Sequence, residues 1–264
     1  MIAGIMQLDS QQASAKDQFD RMSANYGRTH ILADTSDVAR AFEGVRIAPG
    51  CAALDVACGG GHTALWLARA GCRVVAADLS EKMLEATAAL ARENGLDVET
   101  ACHPAERFPH PDAGFLIVTC RVAAHHFSDA TAFLAEVRRV LEPGGIFVLI
   151  DGSIPDGEPV AAEWIHEVEK LRDPSHGRFR TPGEWSALAA GAGLIVEKIR
   201  MDPLEQPDLE WYFQTANTPA ANRARVLELV ESAPEAARRV FQIARKDGRI
   251  TWWWPRLTLR ARAG

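Results

Sequence analysis

At 264 residues, 47% hydrophobic and 24% charged, the chain can build one sizeable α/β domain or two small ones and has the make-up of an ordinary globular protein. Its formal net charge of −6 argues against a general nucleic-acid binder, because neutralising phosphates needs a basic surface; the cluster Arg238, Arg239, Arg245 and Lys246 reads as a solvated helix face. Five cysteines without C-x-x-C spacing, an N-terminus with neither a basic start nor a long apolar core, and no bilayer-length apolar run lead to the expectation of a cytoplasmic protein with reduced thiols, not bound to membranes.

The first fifty residues are polar, with helical patterns around Ser10–Tyr26 and Ser36–Phe42, and end in the turn "IAPG". "CAALDVA" then reads as a strand, "HTALWLARAG" as a helix closed by Gly71, and "CRVVAAD" as a second strand. "SEKMLEATAALARENG" follows as a helix with Ser80 at its N-cap and Gly95 at its stop. A short strand near "LDVETAC", the strand "GFLIVTCRV", the helix "SDATAFLAEVRRVLEPGG" and the strand "IFVLIDG" complete the alternation. Strands separated by helices of this length predict a parallel sheet covered on both faces, and "RVVAA", "FLIVTC" and "IFVLI" are apolar without alternation, as such strands must be. Beyond Asp151 the sequence predicts a helix ending near Pro174 and another started by Thr181 and Pro182. Two final strands, "LIVEKIRM" and "RITWWWPRLTLRA", follow, separated by helical material. One domain over 1–264 results, divided into a helical cap (1–50), a ligand-binding core (51–152), a lid (153–193) and final strands and helices (194–264).

In "LDVACGGGHTALWLA" glycines stand where the first strand turns into the first helix, so a ligand can approach the backbone and the free N–H groups of the helix start. Asp78 closes the second strand, where a carboxylate can accept from both hydroxyls of an adenosine ribose. Gly59-Gly60-Gly61-His62-Thr63-Ala64 also satisfies the dinucleotide pattern G-x-G-x-x-A. Asp55, inside the strand just before the loop, would repel a pyrophosphate and welcome an ammonium, which disfavours a nicotinamide enzyme.

These stretches, with "VVAADLSEKMLEAT" and "PAERFPHPDAGFLIVTCRVAAHHF", resemble the class I S-adenosylmethionine-dependent methyltransferases, nearest to the small-molecule enzymes related to ubiquinone/menaquinone C-methyltransferases. The resemblance extends into "KLRDPSH", "TPGEW" and "GRITWWWP" and so covers most of the chain. It implies a Rossmann-like, three-layer α/β/α fold with a seven-stranded sheet and an antiparallel final hairpin, and S-adenosyl-L-methionine as cofactor. It further implies that Asp55, Ala57, Gly59 and Gly61 hold the methionine end, that Asp78 and Leu79 hold the ribose and adenine edge, and that Met83 packs near the adenine. Ala105 and Glu106 match the segment that flanks the adenine ring. Two positions depart from the family: Pro104 stands where an aspartate is usual, and Leu116 replaces an acid that often faces the active-site end.

Ligands bind outside the carboxyl ends of the strands in open α/β sheets, so "GFLIVTCRV" delivers Arg121 and its successors to the site. Methyl transfer needs a positioned nucleophile and often a base for its proton. His126 and His125 are the candidate bases, and Arg121 is the candidate contact for cofactor or an anionic substrate. Adjacent histidines chelate one ion poorly from a strand-like stretch, so no metal is expected. His62 reads as structural.

The family likeness folds Phe19, Tyr26, Trp164 and His166 over the site, while Arg172, Asp173 and His176 of "LRDPSH" form either a substrate contact or a salt-bridged lid corner. Trp211–Phe213 and Trp252–Trp254 are aromatic enough to line an apolar pocket; Trp252 and Trp254 share one strand face and Trp253 the other. The leading expectation is methyl transfer to a small, partly apolar molecule, with no nucleic-acid or membrane partner and the oligomeric state open. Alternatives are the same fold turned to hydrolysis or cyclisation, as Pro104 and Leu116 suggest, or a non-catalytic S-adenosylmethionine binder.

Overall fold

The apolar runs between Ala52 and Gly152 assemble side by side because each must bury both faces, and amphipathic helices supply the cover. The structure is a computed structural model that describes residues 7–23, 31–206 and 208–264. Strands β1 (Ala52–Val56), β2 (Arg73–Asp78), β3 (Val98–Cys102), β4 (Phe115–Arg121) and β5 (Leu141–Gly152) are parallel. Helices α3 (His62–Arg69), α4 (Glu81–Glu93) and α5 (Ala130–Val140) connect them, after α1 (Ser10–Met22) and α2 (Ser36–Ala41). The later elements are α6 (Pro159–Arg172), α7 (Pro182–Gly191), β6 (Leu194–Gln206), α8 (Leu209–Thr215), α9 (Ala220–Glu231), α10 (Glu235–Val240), β7 (Ala244–Lys246) and β8 (Arg249–Ala263).

Among the described residues the sheet has eight strands, in the order β3-β2-β1-β4-β5-β8-β6, with the short β7 paired to β8 outside that path. The seven-stranded core with its reversed final pair is therefore present, since β8 runs antiparallel to both β5 and β6. Neighbouring positions on one strand feed opposite faces. Leu54, Val118, Phe147 and Leu149 pack with α5 and α7, while Ala53, Ile117, Ile146 and Val148 pack with α2 and α3. The predicted start signals hold, with Ser80 Oγ accepting from Met83 N at 3.2 Å and Thr181 forming a reciprocal capping box with Glu184.

The expected helix through "LEPGG" stops at Val140. Pro143 disfavours helical backbone before it, and the segment instead makes a bulge where β5 registers against β4 between Phe115 and Ile117.

A separate apolar cluster sits over the carboxyl ends of the strands. It joins Trp164, Ile165 and Val168 of α6 to Tyr212 and Phe213 of α8, Val226 and Leu229 of α9, Ala237 of α10 and Trp252 of β8. Within the expected lid 153–193, α6 belongs to this cluster, whereas Trp185 and Ala189 of α7 pack into the main core. The covering layer is thus assembled from two stretches far apart in sequence.

The cap is tied down by a buried charge cluster. Asp37 on α2 receives Arg121 Nε at 3.0 Å, Arg121 Nη2 at 3.0 Å and Arg256 Nη1 at 2.8 Å, and all three side chains are buried. Removing the carboxylate leaves two guanidinium groups facing each other without water, so Asp37→Ala should destabilise the fold by about 3–5 kcal/mol in urea unfolding. A loss below about 1 kcal/mol would show that the cluster does not hold the cap.

Candidate functional site

Two clefts lie over the strand ends. The first encloses about 910 Å³, open to solvent on one side, and is lined by the loop Ala57–Gly60, by Asp78, Leu79 and Ser80 after β2, by His103, Ala105 and Glu106 after β3, and by Arg121–Ala123, His126 and Phe127 after β4. Gln12, Lys16 and Phe19 of α1 and Leu32 form its roof. The second encloses about 690 Å³ between α1, the "LRDPSH" turn, α8 and the β6/β8 pair. Phe19, Leu32, Val122 and His126 line both, so the clefts meet at these four residues.

The loop after β1 is shaped for a close ligand. Ala57 has φ 53° and Gly59 φ 52°, and the Gly59 N–H donates to Asp78 Oδ2 at 2.9 Å while Ser80 N donates to Asp78 Oδ1 at 2.9 Å. Each Asp78 oxygen retains a lone pair toward the cleft it lines, the place expected for ribose hydroxyls. Asp55 lies beneath the loop, fully buried, with Oδ1 accepting from Thr119 Oγ1 at 2.7 Å and Oδ2 without a hydrogen-bond partner. Burial pushes its carboxyl up to about 7, against the Thr119 hydrogen bond and the Arg121 charge, which pull it down. Asp55 does not itself line the cleft, but its buried negative charge beneath the loop, a ribose acceptor at a strand end and an open loop backbone fit a ligand with an ammonium group at one end and a nucleoside at the other.

Several expected contacts fall elsewhere. Gly61 does not line the cleft. Its φ is 81°, and a Cβ there would meet Thr87 Cγ2 at 2.6 Å, so its glycine serves the close packing of α3 on α4. Met83 is wholly buried below the cleft and is not one of its lining residues. Glu106 lines the cleft, but its carboxylate is taken by Gln12 Nε2 at 2.8 Å and by Ser128 N and Oγ, both at 3.0 Å, so it staples α1 to the sheet.

Beside Pro104, His103 occupies the nucleoside end, with Nδ1 donating to the Pro104 carbonyl at 2.9 Å. Burial pushes this imidazole down to about 4, so it is neutral near pH 7. Leu116 sits at the opposite, amino-terminal end of β4, packed against the sheet core, and its lost acid has no bearing on the clefts.

Arg121 also differs from expectation. Besides Asp37, it donates from Nη1 to Leu32 O at 2.7 Å and from Nη2 to Asp34 O at 2.6 Å. Each nitrogen is engaged, so the guanidinium holds the cap over the strand end and offers no free charge for an anionic ligand.

The histidine pair follows Val122, whose positive φ of 54° is strained for a β-branched residue and turns the chain sharply off β4. His125 Nδ1 meets Asp151 Oδ1 at 2.7 Å and its backbone N–H donates to Asp151 Oδ2 at 2.8 Å. Burial works against the charged imidazole, but the adjoining Asp151 outweighs it and holds His125 above its ordinary range. His126 Nδ1 lies 2.9 Å from the Ser175 carbonyl and 3.2 Å from its hydroxyl, and that hydroxyl donates to Asp173 Oδ1 at 2.6 Å. A carbonyl can only accept, so Nδ1 carries the proton and Nε2 keeps its lone pair. Burial and the neighbouring His125 push His126 down to about 4. Phe19 packs edge-on against its ring, with centroids 5.0 Å apart, and Gln11 Nε2 donates to the carbonyls of His126 at 3.1 Å and Ser175 at 2.5 Å.

Arg172 and Asp173 line the second cleft. His176 is buried behind it against Phe179, and neither of its ring nitrogens has a partner. Trp164 is turned into the covering layer, its indole N–H donating to Leu229 O at 3.0 Å, and His166 accepts from Phe179 N at 3.0 Å; neither reaches a cleft. Tyr26 lies outside the described residues. Sequence reasoning missed Asp37, Asp151 and Ser175. An acid closing the apolar run "IFVLID" was a readable signal for Asp151, whereas Asp37 looked like any charge in a first helical turn. Among the described residues no group of three or more His, Cys, Asp or Glu side chains is arranged to hold a metal ion.

Residues 54–149 match the family model described as "Methyltransferase domain". YcgJ of Bacillus subtilis, described as an uncharacterized methyltransferase, is 31% identical over 226 residues, spanning 85% of this chain and 88% of the relative. Its solved structure superposes with a TM-score of 0.81 over 86% of this chain and 97% of that one. A Bacillus halodurans C-125 protein assigned to the methyltransferases is similar at 32% identity, TM-score 0.80, over 86% of this chain and 99% of its own. A ubiquinone biosynthesis O-methyltransferase of Chelativorans sp. is 29% identical over 182 residues, 67% of each chain. Replacing Asp78 with Ala should weaken S-adenosylhomocysteine binding by about 1.5–3 kcal/mol in calorimetry, since hydrogen bonds to a charged acceptor are lost. An unchanged dissociation constant would remove Asp78 from the binding site.

Proposed function

The chain belongs to the class I S-adenosylmethionine-dependent methyltransferases, and on that premise we propose that it methylates a small, partly apolar molecule held in the second cleft, with His126 taking the acceptor's proton. The observation that carries this reading is the meeting of the two clefts at Phe19, Leu32, Val122 and His126, because methyl transfer is an in-line displacement that needs donor and acceptor end to end. The bound cofactor supplies an electrophilic methyl group on a positively charged sulfur. Everything else falls to the protein.

Phe19 and Leu32 wall the junction with apolar surface and keep water from competing for the methyl group. His126 lines both clefts, and with Nδ1 tied to the Ser175 carbonyl its Nε2 is the nitrogen left to accept, the ring being neutral across the neutral pH range. A pKa of about 4 makes a weak base, yet it suffices. A hydroxyl oxygen that has gained a methyl group is far more acidic than imidazolium, so its proton leaves to Nε2 as the new bond forms. The likeness to a ubiquinone biosynthesis O-methyltransferase supports hydroxyl acceptors as the first class to test. His125 lines only the second cleft and is held toward its protonated form by Asp151, which suits it to fixing His126 and the strand end better than to accepting a proton.

Single-turnover rates with a phenolic or quinol acceptor that does not titrate between pH 6 and 8 should stay level over that range, because His126 is protonated only as pH falls toward about 4. A limb above the ordinary imidazole range, to which, against burial, the adjoining Asp151 raises His125, would transfer the base role to His125. His126→Ala should cost about 10²–10⁴ in rate, a far larger effect than any change in S-adenosylhomocysteine affinity.

A second outcome concerns Asp55. Its carboxyl, raised to about 7 in the free protein, is part protonated at neutral pH, and an ammonium group bound above it favours the carboxylate. Binding S-adenosylmethionine at pH 7 should therefore release about half a proton, read as a dependence of calorimetric heat on buffer ionisation enthalpy. The release should vanish in Asp55→Asn; equal wild-type heats in all buffers would detach Asp55 from the ammonium.

A further inference from the structure

Two polar atoms in the wall of the second cleft have no partner. Gln206 at the end of β6 is 1% exposed, and its Oε1 accepts no hydrogen bond. The amide orientation follows from Leu204, whose carbonyl can only accept and lies 3.4 Å from Gln206 Nε2. Trp254 on β8 has an indole N–H that is fully covered and donates to nothing. The antiparallel register sets Leu204 opposite Trp254 and Gln206 opposite Trp252, and strand alternation turns all four side chains to the same face. Trp252 anchors the covering layer, while Leu204, Gln206 and Trp254 line the cleft.

The charged residues of that wall are already satisfied by the protein. Arg172 donates to Tyr212 O at 3.1 Å, Glu169 Oε2 at 3.0 Å and Thr215 Oγ1 at 3.1 Å, with its guanidinium 4.3 Å from the Tyr212 ring centroid. Tyr212 in turn donates its hydroxyl to Glu169. Asp173 accepts from Ser175 N at 2.9 Å and from its hydroxyl at 2.6 Å. The fully buried polar atoms of this lining that no hydrogen bond meets are one acceptor, Gln206 Oε1, and one donor, Trp254 Nε1. Buried polar atoms are rarely left so without a ligand or water to meet them.

We infer that Gln206 Oε1 and Trp254 Nε1 are the specificity-determining pair of this cleft and take a neutral group that both donates and accepts a hydrogen bond, such as a lactam, a carboxamide or a hydroxyl. The inference rests on reading the second cleft as the acceptor pocket. At this pair a carboxylate or a phosphate ester would set an acceptor against Gln206 Oε1 and find only the Trp254 indole as donor. A plain hydrocarbon would bury both atoms unmet. The methyl acceptor therefore carries an uncharged polar handle at the β6/β8 end and its reacting atom at His126.

The test uses the full chain labelled at its seven tryptophans with ¹⁵N, saturated with S-adenosylhomocysteine, and three probes of similar size: 2-pyridone, benzoate and toluene. The Trp254 indole signal, identified by its loss in Trp254→Phe, should shift and saturate with 2-pyridone and stay put with benzoate and toluene. Gln206→Met, which keeps the volume and removes the acceptor, should weaken 2-pyridone by about three- to tenfold and abolish its preference over toluene. If that variant fails to fold, saturation transfer to 2-pyridone in Trp254→Phe should show the same weakening. A Trp254 signal unmoved by 2-pyridone, or benzoate binding as tightly, would overturn the inference. If 2-pyridone moves Trp254 but does not slow methyl transfer, the pair stands as a binding site and the assignment of the cleft to the methyl acceptor falls.

Discussion

The Asp37 carboxylate, held by Arg121 from β4 and Arg256 from β8, is the interaction on which the site depends. A parallel sheet ends all its strands at one edge, and charged residues there cannot stay both buried and alone. Arg121 leaves β4 where the first cleft begins, so its charge must be met by something laid across the strand ends. That something is the cap: Asp37 on α2 and the carbonyls of Leu32 and Asp34 complete the guanidinium. Satisfying one buried cation thereby roofs the first cleft.

The same logic of satisfied polar groups organises the rest of the cover. Helix α1 contributes Gln11 to the carbonyls of His126 and Ser175, Gln12 to Glu106, and Gln18 to Ala216 O at 2.8 Å. These amides are neutral, so they staple the cap to the core, the histidine loop and the covering layer without importing charge near the reacting centre. The charged acids face histidines instead. Asp151 holds His125 above the ordinary imidazole range, while burial and the neighbouring His125 push His126 down to about 4 against the pull of Asp173, although the two rings are 4.1 Å apart. Two adjacent imidazoles with separated roles follow from which partner each one meets.

Much of this was legible in the residues. The alternation of apolar runs and amphipathic helices and the glycine loop with Asp78 at the next strand end rest on local patterns, whereas the reversed direction of the final pair was implied by the family likeness. What failed were assignments that required knowing which way a side chain turns. Arg121 is spent on the cap, Met83 and Gly61 on packing, and Trp164 and His166 on the covering layer. Leu116, at the far end of its strand, has nothing to do with the reaction. A residue type and a spacing specify an element and a face, but the partner a polar group finds there lies tens or hundreds of residues away.

The sequence alone determined the parallel strands, the order of helices between them and the edge at which the glycine loop lies, because strand and helix periodicities and turn residues act over a few positions. Only the tertiary structure decided which of the edge residues are free to act. Asp37 to Arg256 spans 219 positions, and Gln206 and Trp254 share one face of the paired strands β6 and β8, so their state follows from burial and from the hydrogen bonds that burial demands. The glycine loop announced a ligand from its own residues. The neutral His126, the raised Asp55 and the unmet donor and acceptor of the second cleft exist only because the folded chain excludes water from them.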